Sequence, residues 1–165
     1  MIINQSKLLE LSPIKNMENI KIRQHGVSYG LAEAGYDIRL KQAISFGTGP
    51  DHYIWHQVDE EEPKPGRFTL ASAIEEFQMP DNLVGVVHDK STWARKGLSV
   101  FNTVIEPGWK GFLTLELVYH GEGYIELPAG CGIAQVLFTQ ISENNAYNGK
   151  YQNQEDKPVS AKFEA

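Results

Sequence analysis

The stretch Phe112-Leu113-Thr114-Leu115-Glu116-Leu117-Val118-Tyr119 decides the fold. Its residues alternate: Leu113, Leu115, Leu117 and Tyr119 share one face, as the two-residue period of a strand requires. Phe112, Thr114, Glu116 and Val118 share the other. The second face is not polar enough to be simply solvent-facing. Working outward, Phe68 to Ile74 also alternates. Leu83 to Val87 is a short apolar run after Pro80-Asp81-Asn82, and Ile133 to Ile141 follows the Pro128-Ala129-Gly130-Cys131-Gly132 turn. Short strands separated by turn signals point to a mainly β fold, a barrel or jelly roll. Two short helices are expected, Ser6 to Leu11 and one opening near Ser91 with Ser91 or Asp89 as its cap and Gly97 as its end.

The 165-residue chain has the length of one domain, 1–165. Hydrophobic residues make up 41% and charged residues 22%, the balance of a soluble globular protein. Cys131 is the only cysteine, which excludes a disulfide within the chain and fits a reducing compartment. No apolar stretch reaches membrane-span length, and Met1 to Glu10 lacks the layout of a signal peptide. A cytoplasmic protein is expected. The formal net charge of −6 argues against coating nucleic acid and leaves room for a small anionic ligand. Asp59 to Gly66, with three glutamates and two prolines, reads as an exposed loop. The polar stretch 142–165 reads as a disordered tail or an arm ordered by a ligand or a neighbour.

Four segments could carry chemistry. His88 to Gly97 sets Lys90, Ser91, Thr92 and Arg95 around a helix start, two cations and two hydroxyls suited to a polyphosphate; an ordinary capped surface helix has the same pattern. Glu116 stands on a half-apolar strand face, which suits a general acid–base carboxylate and equally a rim glutamate. Glu106-Pro107-Gly108-Trp109-Lys110-Gly111 forms a tight turn in which Trp109 packs or stacks and Glu106 could bond a sugar hydroxyl. Tyr147 to Gln154, rich in amides and tyrosines, could close as a lid. A zinc-dependent base deaminase needs a Cys-x-x-Cys pair, which one cysteine cannot supply. His52 and His56 are spaced as ligands only on a helix, and Tyr53-Ile54-Trp55 between them reads as strand. No nucleophile elbow, dinucleotide fingerprint or Walker-type loop is present.

Several of these segments resemble one family. Ser28-Tyr29-Gly30 with Tyr36-Asp37-Ile38-Arg39, Lys90 to Arg95, Glu106 to Gly111 followed by Thr114-Leu115-Glu116, and Gly149 to Gln154 are similar to the motifs of dCTP deaminases, in the family's order. The resemblance implies a distorted jelly-roll β-barrel like that of the related trimeric dUTP diphosphatases. It implies a homotrimer, with pairing of trimers left open, and an arm at 142–165 closing over the active site. It implies hydrolytic deamination of dCTP to dUTP without zinc, magnesium arriving with the triphosphate. The alternatives on the same fold are a dUTP or dCTP diphosphatase, a bifunctional enzyme, and a non-catalytic nucleotide-sensing trimer. By resemblance, Glu116 activates the water, assisted by Ser91 and Arg95. Lys90, Ser91, Thr92, Arg95, Thr103, Glu106, Thr114, Leu115, Gln135, Tyr147, Lys150, Tyr151 and Gln154 fall at nucleotide-binding positions. The sequence departs from the family pattern in having lysine at 90 where arginine is common, glutamate at 106 where aspartate is common, and Glu155-Asp156-Lys157 after Gln154.

Overall fold

The computed structural model of the chain describes residues 1–49, 51–57 and 62–163. Three antiparallel sheets surround one hydrophobic core. The largest has seven strands. Its path runs Val104–Ile105, Leu83–Asp89, Gly132–Gln140, Tyr36–Arg39, Val27–Leu31 and Lys21–Gln24, with Ile2–Ile3 added along Gly132–Gln140. A second sheet places Lys110–Tyr119 between Leu98–Val100 and Phe68–Gln78. The third is Tyr124–Leu127, Ile44–Thr48, His52–His56 and Lys64–Pro65. The architecture is jelly-roll-like. Among the described residues the sheets remain three and do not close into one barrel, which corrects the barrel part of the expectation.

The alternation that the leucines promise is present. Leu115 and Leu117 are fully buried, and so are Val136 and Phe138 on the neighbouring sheet. Glu116 lies half-buried on the opposite face of its strand. The pairing of Lys110–Tyr119 with Phe68–Gln78 slips between Phe112 and Thr114: Phe112 pairs with Glu76, Thr114 with Ser72. The extra residues on the longer strand form a bulge, a usual device for turning a corner between sheets. Ala73 meets Leu40 there, and the Arg39 amide donates to the Glu75 carboxylate at 2.8 Å. Arg39 Nε donates to the other Glu75 oxygen at 2.8 Å, and the guanidinium lies 4.6 Å from the centre of the Tyr29 ring. Burial pushes the Glu75 carboxyl above its usual range, while the Arg39 amide and guanidinium pull the other way.

Helix expectations are met in place and not in detail. The first spans Gln5–Leu11. The second, Ser91–Ala94, is a single turn whose N-cap is Lys90, without a side-chain cap bond. Asp89 does not cap it, because its carboxylate accepts the Val100 N–H at 2.7 Å. In the acidic segment, residues 59–61 lie outside the described residues, and Lys64–Pro65 pairs with Tyr53 and Ile54 as a short strand. His52–His56 is a strand, as the residues between the histidines indicate. Among the described residues, no helix is long and apolar enough to cross a membrane.

Cys131 is fully buried, and burial pushes its thiol up to about 12. Its thiolate is therefore scarce at neutral pH. In a reaction with an aromatic disulfide reagent at pH 8, Cys131 should stay unmodified in the native protein and react fully in denaturant. Rapid native-state labelling would contradict this packing.

Candidate active site

One cavity of about 500 Å³ opens against the Lys110–Tyr119 strand. Strand alternation aims Thr114 and Glu116 into it. The loop before Val104–Ile105 adds Thr103, and the turn after it adds Glu106. Tyr147, Tyr151 and Gln154 line it from the C-terminal segment. Seven of the residues singled out in the sequence therefore meet in one place. Its remaining wall is mostly apolar, with Phe68, Leu70, Ile105 and Trp109. Polar groups converging in an apolar cavity of this size are the usual form of a small-molecule site.

Each wall is fixed by local chemistry. In the turn, the Trp109 N–H donates to the Glu106 carbonyl at 3.1 Å, and Gly108 has φ +71°. A Cβ at Gly108 would lie 2.8 Å from the Ala146 Cβ, so both the backbone angle and the close approach require glycine. Trp109 is buried, packs on Phe77 at 6.1 Å, and donates its indole N–H to the Tyr151 carbonyl at 2.6 Å. That bond anchors the C-terminal segment. The Phe112 N–H donates to the Gln154 carbonyl at 3.1 Å, and Gln154 pairs with Gly111 as a parallel bridge. The Thr114 hydroxyl donates to Gln154 Oε1 at 3.2 Å and accepts the Val159 N–H at 3.0 Å. The acidic residues after Gln154 point elsewhere: Asp156 pairs with Lys41, and Glu155 with Lys157. The Lys157 ammonium holds the Glu155 carboxyl below its usual range. The Glu116 carboxylate accepts the Thr103 hydroxyl at 3.0 Å.

The remaining candidates lie elsewhere in this chain. Ser91, Thr92 and Arg95 are exposed on the single helical turn. Lys150 is exposed, 5.5 Å from the Tyr151 ring centre, with its ammonium on the Lys162 carbonyl. Leu115 is a core residue, so only its backbone can face a ligand. Lys90 and Gln135 belong to a second polar cluster centred on Asp37. The Asp37 carboxylate is 2% exposed, pairs with Lys90, and accepts Ser28 Oγ at 3.0 Å and Gln135 Nε2 at 3.2 Å. Asp37 had no assigned role in the sequence, although the Tyr36-Asp37-Ile38-Arg39 motif contained it.

The comparisons with known proteins bear on this geometry. A family model described as dCTP deaminase-like matches residues 12–141. The chain belongs to the dCTP deaminase-like family. The dCTP deaminase of Campylobacter concisus (strain 13826) is 38% identical over 146 residues, 78% of each chain. That of Herpetosiphon aurantiacus is 36% identical over 151 residues, 81% of this chain and 82% of the relative. Solved structures share the fold. The 2′-deoxycytidine 5′-triphosphate deaminase of Agrobacterium tumefaciens superposes with a TM-score of 0.52 at 15% identity, over 83% of this chain and 49% of that one. The dUTPase of EIAV gives 0.53 at 20% identity, over 82% and 93%. The family match includes Glu116, the Asp37 cluster and the Ser91–Ala94 turn, and ends before the C-terminal segment that lines the cavity.

Proposed function

We propose that this dCTP deaminase-like protein hydrolyses dCTP to dUTP and ammonia, with Glu116 as the proton-handling carboxylate. One observation carries the reading: the cavity that gathers Glu116, Glu106, Thr114 and Tyr147 lies within a chain of this family. In the reaction, Glu116 takes a proton from a water that attacks C4 of cytosine. It then returns that proton to the departing amino group, and dCTP plus water becomes dUTP plus ammonia. Glu106 reads the sugar hydroxyl, the Thr114–Leu115 backbone meets the base, and Thr103, Gln135, Tyr151 and Gln154 complete the nucleotide site. Ser91, Thr92, Arg95, Tyr147 and Lys150 serve the phosphates, Ser91 and Arg95 also holding the water, and Lys90, its ammonium paired with Asp37, fixes the start of the turn that presents them.

Ser91 and Arg95 stand outside the cavity of their own chain. We therefore assign them to the cavity of a neighbouring subunit, which makes the active species a homotrimer. The C-terminal segment closes over the site as an arm. Magnesium would accompany the triphosphate as its counter-ion. Among the described residues, no three His, Cys, Asp or Glu side chains gather as a metal cluster. The buried, unpaired Cys131 fits the reducing cytoplasm in which we place the reaction. Incubation with dCTP and magnesium should release ammonia in proportion to dUTP. No ammonia anywhere across neutral pH would remove this reading.

A further inference from the structure

Thr103 has a geometry that substrate contact alone does not require. Its hydroxyl donates to Glu116 Oε2 at 3.0 Å, and its loop is held on both sides by backbone bonds. The Val87 N–H donates to the Thr103 carbonyl at 3.0 Å, the Thr103 N–H to the Phe101 carbonyl at 2.9 Å, and the Phe101 N–H to the Glu116 carbonyl at 3.1 Å. Thr103 is thus registered against the strand that carries Glu116 by main chain. Its side chain is free to serve the carboxyl.

A threonine hydroxyl has one donor and two acceptor sites, and it rotates. While Glu116 is ionised, the hydroxyl donates to Oε2. When Oε2 carries a proton, the same hydroxyl can accept it and turn its own O–H toward the Phe101 carbonyl, 3.5 Å away. A lysine or arginine in its place could only donate, and would hold one state at the expense of the other. A group that passes a proton from water to an amine occupies both states in every turnover.

We propose that Thr103 is a positioning residue. It holds Glu116 Oε2 in both protonation states and leaves Oε1 to face the water and the departing amine. This rests on the reading of Glu116 as the proton carrier, and it gives Thr103 a role toward Glu116 in addition to the nucleotide.

The test compares Thr103→Val, which keeps the shape and loses the hydroxyl, with Thr103→Ser, which keeps the hydroxyl. Losing a hydrogen bond to a charged group should lower kcat for dCTP by about 10-fold or more, a larger change than any in KM from the lost nucleotide contact. The bond to the ionised carboxylate is the stronger of the two, so its loss should move the acid limb of the kcat–pH profile up by about one pH unit. Thr103→Ser should stay close to the wild type on both readouts. A second measurement does not depend on turnover: the ¹³C-labelled side-chain carboxyl of Glu116, titrated by NMR, should shift its midpoint upward in the valine variant alone. An unmoved midpoint in Thr103→Val, or a serine variant that behaves like valine, overturns the proposal. A wild-type protein that releases no ammonia from dCTP removes the deaminase reading instead, and the titration still decides whether Thr103 holds the Glu116 carboxyl.

Discussion

Glu116→Gln should lower the rate of dCTP deamination by about 10³-fold while leaving nucleotide affinity nearly unchanged. Glutamine keeps the length and shape of glutamate, and its amide oxygen can still accept the Thr103 hydroxyl now placed on Oε2. The strand should therefore keep its place. Lost is the capacity to take and return a proton. Thr103, Thr114, Tyr147 and Tyr151 offer hydroxyls, poor bases at neutral pH, and Glu106 sits at the turn after Val104–Ile105 rather than on the Glu116 strand. Steady-state kinetics give the rate, and calorimetry with dCTP gives the affinity. A variant that keeps its rate would show that another group handles the proton. A variant that loses rate and affinity together would assign Glu116 to binding.

Asp37→Ala should cost about 3–5 kcal/mol of folding stability, read by urea denaturation. Asp37 is 2% exposed, and the side chain of its partner Lys90 is only 11% exposed. Removing the carboxylate leaves a buried ammonium without a counter-charge and strips the Ser28 hydroxyl and the Gln135 amide of an acceptor. Loss of one partner of a buried pair is far more damaging than replacement of the whole pair, because the remaining charge has no compensation. Asp37→Asn, which keeps an acceptor oxygen, should cost less. The cluster also bears on the site: it holds the Lys90 stem at the entry to the Ser91–Ala94 turn, so activity should fall beyond what instability explains. A stability change below about 1 kcal/mol, the scale of an exposed pair, would contradict this account.

The strands were legible because their packing is two-sided and regular. Leu113 to Tyr119 carries its period openly and Leu83 to Val87 is a short apolar run between turn signals, and both are strands at or beyond those bounds. The face of Glu116 followed from the same period. The bulge that buries Glu75 was not legible, because it depends on where Phe68–Gln78 leaves one partner for another. Asp37 was hidden for a related reason. A charged residue in a short strand reads as exposed, and its partners lie 9, 53 and 98 residues away. Asp89 sits at the position expected of a helix cap, yet its carboxylate serves a strand amide. The C-terminal segment is polar throughout, so composition alone points to disorder. Its order comes from main-chain pairing with Gly111 and Phe112 and from the Trp109 indole, none of which leaves a periodic trace.

The gathering of Thr103, Glu106, Thr114 and Glu116 in one cavity was recoverable from sequence only through the family resemblance, since nothing in their spacing brings a turn and a strand face together. The same resemblance places Ser91 and Arg95 with Glu116, whereas within one chain the helical turn that bears them stands apart from the cavity. That difference is the reason the proposal requires more than one subunit.

Product analysis with dCTP, dUTP and CTP side by side, in magnesium, is the most direct test of the central claim. The account predicts that dCTP yields dUTP and ammonia in equal amounts with the triphosphate intact. Pyrophosphate with a nucleoside monophosphate, and no ammonia, would contradict it.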